Sequence, residues 1–151
     1  MDRKWLEQWR ASMRENLSRL AGERRFGQVA GVHEVAGAAT EAELADLVAT
    51  HGDDLPYDLL AFHQAIAEVR LPAVTHGYWI HRPPHTDPPH TLSDGRRVIV
   101  FGSDGNGGLF ALTAGSGTPV LRLSDEEEAV VFTADLQEFL SFLERETAAF
   151  G

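Results

Sequence analysis

Four histidines and an aspartate crowd the stretch HGYWIHRPPHTDPPHTLSDG, where His76, His81, His85 and His90 lie within 15 positions and Asp87 stands among them. Imidazole nitrogen with carboxylate oxygen is a ligand set that suits zinc, nickel or iron. A metal-dependent enzyme centred on His81, His85, Asp87 and His90 is therefore one chemistry these residues could perform. Their spacing works against it. Pro83-Pro84 and Pro88-Pro89 favour extended polyproline geometry, in which ligands spread along a rod. Nor does the segment show a pattern of partners that would orient metal-bound imidazoles. The preferred reading is a solvated surface loop, with no cofactor.

Other catalytic arrangements fail on spacing. Asp104-Gly105-Asn106-Gly107-Gly108 opens like a calcium loop, but Leu109 stands where the turn glycine is needed and Gly115 where a bidentate Glu is needed. The same glycines lack the Gly-Lys-Ser/Thr of a phosphate loop. Ser103 and Ser116 read as turn residues outside any Gly-x-Ser-x-Gly, so a serine hydrolase using His63 or His33 as base has little support. The chain has no Cys, which removes thiol nucleophiles, disulfides and thiolate zinc sites. The run Asp125-Glu126-Glu127-Glu128 reads as a solvated loop of like charges. An enzyme is not expected.

The elements around these residues can be read from periodicity. Trp5, Trp9, Met13, Leu17 and Leu20 recur at helical spacing and predict a helix over 2–21. It faces the core or a second copy of the chain, with a membrane-surface or nucleic-acid arm as the weaker reading of its Arg and Lys. Residues 22–39, rich in Gly and Ala, read as a linker with at most short structure. Thr40 and Glu43 fit a capping box for a helix that Gly52 ends, and Pro56 opens a second helix whose Leu59, Phe62, Ile66 and Val69 continue to Pro72. Tyr78 to Ile80 reads as a strand. Val98 to Phe101, Leu109 to Thr113 and Pro119 to Leu123, separated by Gly-rich turns, read as a meander. Val130 to Phe132 adds a strand, and Thr133 caps a last helix carrying Leu136, Phe139, Leu140 and Leu143. The expected fold is α+β: an antiparallel sheet of about four to six strands with a meander core, packed by helices on one face.

Charge is uneven along the chain. Residues 1–25 hold seven of the 13 basic residues against four acids, net +3, whereas residues 26–151 hold six against 19, net −13. An acidic body repels nucleic-acid backbones and favours basic partners. With 43% hydrophobic and 24% charged residues the composition is that of an ordinary globular domain. No apolar run approaches the ~20 residues of a membrane span, and the N-terminal stretch lacks the apolar core of a secretory signal, so a cytoplasmic location is expected.

The order of a capped helix, HGDDLPYDLLAFHQ, VIVFGSDGNGGLFALT and VFTADLQEFLSFLERE resembles the SUKH superfamily, which includes bacterial immunity proteins and yeast cell-wall regulator-like domains. Leu55-Pro56, Phe101 to Leu112 and Glu138 to Leu140 carry the likeness, which spans 40–146. Two departures are the absence of an Asn-Gly soon after the second helix and the Pro/His segment. The resemblance implies a SUKH-like α+β domain over 40–151, which follows the N-terminal helix and linker over 1–39 read from periodicity and composition, and the length suits a single globular unit overall. It implies a non-enzymatic binding protein that neutralises a cognate toxin, for which a basic nuclease domain suits an acidic inhibitor; a regulatory scaffold is the further alternative. Partner contacts are expected at Asp53, Asp54, Asp94, Asp104 and Asn106, acids and an amide at helix starts and hairpin turns, where oxygen acceptors face outward. Neither nucleic acid nor membrane is an expected partner. A homodimer through the N-terminal helix stays open.

Overall fold

Strand alternation sorts the side chains of this chain into two layers, and a computed structural model describes the result for residues 1–22, 33–83, 90–124 and 129–150. Ile99, Phe101, Phe110, Leu112 and Val120 point to one side of the sheet and are buried with the helices. Val98, Ala111 and Leu121, their alternates, form a smaller cluster on the other side with Val100, Leu123 and Ala129 at its margin.

Four helices and eight short strands make up the described chain: α1 (Arg3–Gly22), β1 (Glu34–Val35), α2 (Glu41–His51), α3 (Tyr57–Ala65), β2 (Val69–Leu71), β3 (Tyr78–Ile80), β4 (His90–Thr91), β5 (Arg97–Asp104), β6 (Leu109–Thr113), β7 (Val120–Leu123), β8 (Ala129–Thr133) and α4 (Leu136–Ala149). The sheet runs β1-β2-β3-β5-β6-β7-β8, with β4 paired to β5, and every pairing is antiparallel. The expected α+β class and the meander hold. The strand number exceeds the expected four to six, because β1, β2 and β4, of two or three residues each, add to the expected strands.

The helices form where the sequence places their caps, with two corrections. Thr40 Oγ1 accepts from Glu43 N at 3.1 Å while Glu43 Oε1 accepts from Thr40 N at 2.9 Å, closing the capping box, and Gly52 at φ 55° ends α2 in a conformation that suits glycine. The helix after Pro56 does not reach Pro72. It stops at Ala65, because Ile66 is extended at φ −141°, and Val69 to Leu71 form β2. Ile66 and Val69 stay fully buried at their helical spacing, so burial alone could not reveal the change of backbone. The last helix is capped by Asp135, whose Oδ1 accepts from Glu138 N at 2.8 Å; Thr133 belongs to β8 and donates to Asp135 O.

α1 shares the core of the rest of the chain. Leu6 and Met13 are fully buried, and Trp9 donates its indole N–H to Leu140 O at 2.7 Å. The apolar face considered for a homodimer is thus used inside the fold. Three of its arginines turn toward backbone: Arg10 caps Ala65 O at the end of α3 at 2.7 Å, Arg14 donates to Val35 O, and Arg19 to Ala148 O. The expected linker over 22–39 contains β1; residues 23–32 lie outside the described residues. No described helix is long and apolar enough to cross a membrane.

Candidate functional site

The five residues expected to meet a partner divide between the two ends of β5. At its start, three turns converge. Gly52 to Asp54 form a 3-10 turn between α2 and α3. Arg97, the first residue of β5, reaches Asp54 Oδ2 at 2.7 Å, and Gly115 N, in the turn between β6 and β7, donates to Asp54 O at 2.8 Å. Gly117 in the same turn lies against Pro56, so close that a Cβ there would collide with the proline ring. In the hairpin between β4 and β5, Asp94 accepts from Arg96 N and from Arg96 Nε at 2.7 Å. The backbone bond from Arg96 is the leading cause of the lowered pKa of Asp94, which stays ionised at neutral pH. Asp53 is exposed.

A residue that the sequence reading passed over stands in this junction. Tyr57, the first residue of α3, is 73% exposed, whereas Leu59 and Phe62 on the opposite side of the helix are fully buried. Its phase offered the signal, since it precedes the buried stripe directly after a helix-starting proline. Tyrosine supplies large amphipathic contact area at small conformational cost and is enriched at protein interfaces. Tyr57 and the carboxylates of Asp53 and Asp54 thus stand on or beside a turn joined to the β6–β7 turn and to the first residue of β5, and Asp94 lies in the hairpin that leads into β5.

At the far end of β5 the chemistry differs. Asp104 turns inward: its side chain is 8% exposed, Oδ2 accepts from Arg122 Nε at 2.9 Å, and Oδ1 accepts from Asn106 N and Gly108 N, each at 2.9 Å. Burial by itself would raise this carboxyl, but the bonds from Arg122, Gly108 and Asn106 outweigh burial and hold it below the usual carboxylate range. Asp104 therefore organises its own hairpin and offers no open carboxylate, while Asn106 remains exposed at the turn. Beside it, Glu146 Oε1 accepts from Tyr78 Oη at 3.1 Å and from Thr75 Oγ1 at 3.2 Å. Burial, then Glu146, then Asp104 push the Tyr78 phenol up to about 12. Thr75 adopts φ 52°, a left-handed conformation rare for a β-branched residue, in the turn joining β2 to β3.

Of the metal candidates, His85 and Asp87 lie outside the described residues, as do Asp125 to Glu128. His81 N donates to Phe101 O and His90 pairs with Val98, so the two histidines align with β5 positions about 10 Å apart by strand rise. Among the described residues no group of three or more His, Cys, Asp or Glu is arranged to hold a metal ion. His81 has another contact, its Nε2 standing 3.0 Å from Ser103 Oγ. Ser103 is a strand residue of β5 paired with Trp79, not a turn residue. Enough protein surrounds the His81 ring to lower its pKa by desolvation, so the neutral imidazole predominates at neutral pH. The arrangement is a cross-strand hydrogen bond between a neutral base and a hydroxyl. No family model, curated protein or solved structure matches the chain.

Proposed function

We propose that this protein is a non-enzymatic binding protein of the immunity type, which neutralises a basic toxin domain in the bacterial cytoplasm by direct contact. Tyr57 carries the reading: a tyrosine 73% exposed, three and four positions after Asp54 and Asp53 on a turn tied to β5 by the Asp54–Arg97 pair, has the composition of an interface anchor close in sequence to acids. The net charge of −13 over residues 26–151 supports a basic partner, whose approach it accelerates by long-range attraction. The resemblance of the sequence to the SUKH superfamily supports the immunity role. In this mechanism the acidic field brings the toxin in, Tyr57 is buried against it, and Asp53 and Asp94 accept hydrogen bonds from its Arg and Lys. The partner's active surface is then covered.

Co-expression with a basic toxin domain encoded beside this gene tests the proposal. Restored growth and a stoichiometric complex are the expected results. A toxin that kills in the presence of the protein and forms no complex with it overturns the immunity role, and binding without protection favours a regulatory scaffold.

A further inference from the structure

The sheet's two terminal strands are finished differently. β1 has two residues, and Arg14 donates from Nε and Nη2 to Val35 O at 3.1 and 2.9 Å. β8 has five residues and, among the described strands, pairs only with β7. Its sequence AVVFT holds neither charge nor proline, two of the devices that commonly blunt an edge. Val130 is 59% and Val131 61% exposed. One bulge interrupts the pairing near Phe132, whose ring packs against Phe110, Phe139 and Phe142, and Ala129 to Val131 stay in regular register with Leu123 to Leu121. In an antiparallel ladder alternate residues turn both N–H and C=O away from their partner strand. This edge thus offers backbone donors and acceptors together with a valine on each face.

We propose that β8 accepts an extended segment of a partner protein as an added strand, and that this segment carries Lys or Arg among apolar residues. Charge selects the occupant. In the sequence the strand is bracketed by Asp125, Glu126, Glu127 and Glu128 before it and Asp135 after it, with no basic residue between. A second copy of this chain would bring the same acids and a net charge of −10, so like charges oppose self-pairing through β8. The inference goes beyond the proposed function, since it concerns a surface other than the Tyr57 junction and needs no toxin.

The test titrates the isotope-labelled full chain with the hexapeptide acetyl-Lys-Val-Lys-Val-Lys-Val-amide, and with the same peptide carrying Glu for Lys, while backbone amide resonances are followed. The Lys peptide should shift the amides of Ala129 to Thr133 with an affinity that falls as salt rises, and the Glu peptide should leave them unmoved. Val131→Pro, which removes a donor and blocks the edge, should abolish the shifts. Val130→Thr with Val131→Thr keeps β-branching and should weaken binding by at least about fivefold, so the test survives a failure of the proline variant to fold. Absence of shifts at β8, equal shifts with both peptides, shifts spread over the acidic surface, or unchanged affinity in the Thr pair would each overturn the proposal. Toxin binding without peptide shifts at β8 overturns the edge and leaves the immunity reading standing, and peptide shifts at β8 without toxin binding overturn the immunity reading and leave the edge standing.

Discussion

Asp54 and Arg97 meet at 2.7 Å across 43 positions of sequence, and through this ion pair the turn between α2 and α3 is fixed to the first residue of β5. The pair is partly open to solvent, the side chains being 29% and 55% exposed, whereas the pair at the other end of the same strand, Asp104 with Arg122, is largely enclosed at 8% and 31%. One strand thus ends in two ion pairs of the same chemistry and different worth.

Asp54→Ala should cost below about 1 kcal/mol in urea unfolding, the range of exposed pairs. Asp104→Ala should cost about 2–4 kcal/mol, because it strands Arg122 and two backbone donors in a partly enclosed site. The folded-state pKa of Asp104 is lowered, so its contribution is present above the ordinary value of 3.8 and is lost as pH falls through the lower folded value. The stability gap between wild type and Asp104→Asn should therefore narrow as pH drops from about 5 to about 3. A gap that stays constant would mean that the carboxylate's charge adds nothing.

Tyr57→Ala should leave unfolding stability within about 0.5 kcal/mol of wild type, as expected of an exposed position. Binding of the toxin domain should weaken by about tenfold or more, mostly through faster dissociation. Asp53→Asn with Asp94→Asn should instead slow association and flatten its salt dependence. Unchanged kinetics in both variants would remove this junction as the working surface.

Phe139 is 1% exposed and meets Phe110 at 4.8 Å and Phe101 at 5.3 Å between ring centroids, so Phe139→Ala should cost about 3–5 kcal/mol. Denaturant titration gives the value. A loss below about 1 kcal/mol would mean that α4 is not seated on the meander.

Tyr78 should ionise near 12 in a spectrophotometric titration, against an ordinary value of 10.0, and Glu146→Gln should bring it down. Because the folded pKa is the higher one, the stability this phenol contributes is intact below pH 10 and is lost between 10 and about 12. A phenol that titrates no differently in Glu146→Gln would rule out the Glu146 contact as a cause.

Local signals made the meander and three of the helices legible. Alternating Val98 to Phe101 and the glycines after Asp104 state a hairpin in adjacent residues, and Thr40 with Glu43 states a cap within one turn. β2 was hidden because Leu59, Phe62, Ile66 and Val69 keep helical spacing while the backbone leaves the helix at Ile66. The last helix offered two capping residues, Thr133 and Asp135, and only the strand pairing of Thr133 with Val120 decides between them. The candidate site was legible as acids at turns and no further. Which of these acids stay open depends on Arg97 and Arg122, at 43 and 18 positions' remove, and the approach of His81 to Ser103 depends on the pairing of β3 with β5.

Arg14 at the carbonyl of Val35 bears on how copies of this sheet can combine. A fibre that elongates needs two receptive margins on every subunit, one to offer and one to receive, and here one margin is a two-residue strand whose carbonyl a guanidinium already occupies. Copies of this sheet are therefore not expected to stack head to tail from β8 of one to β1 of the next.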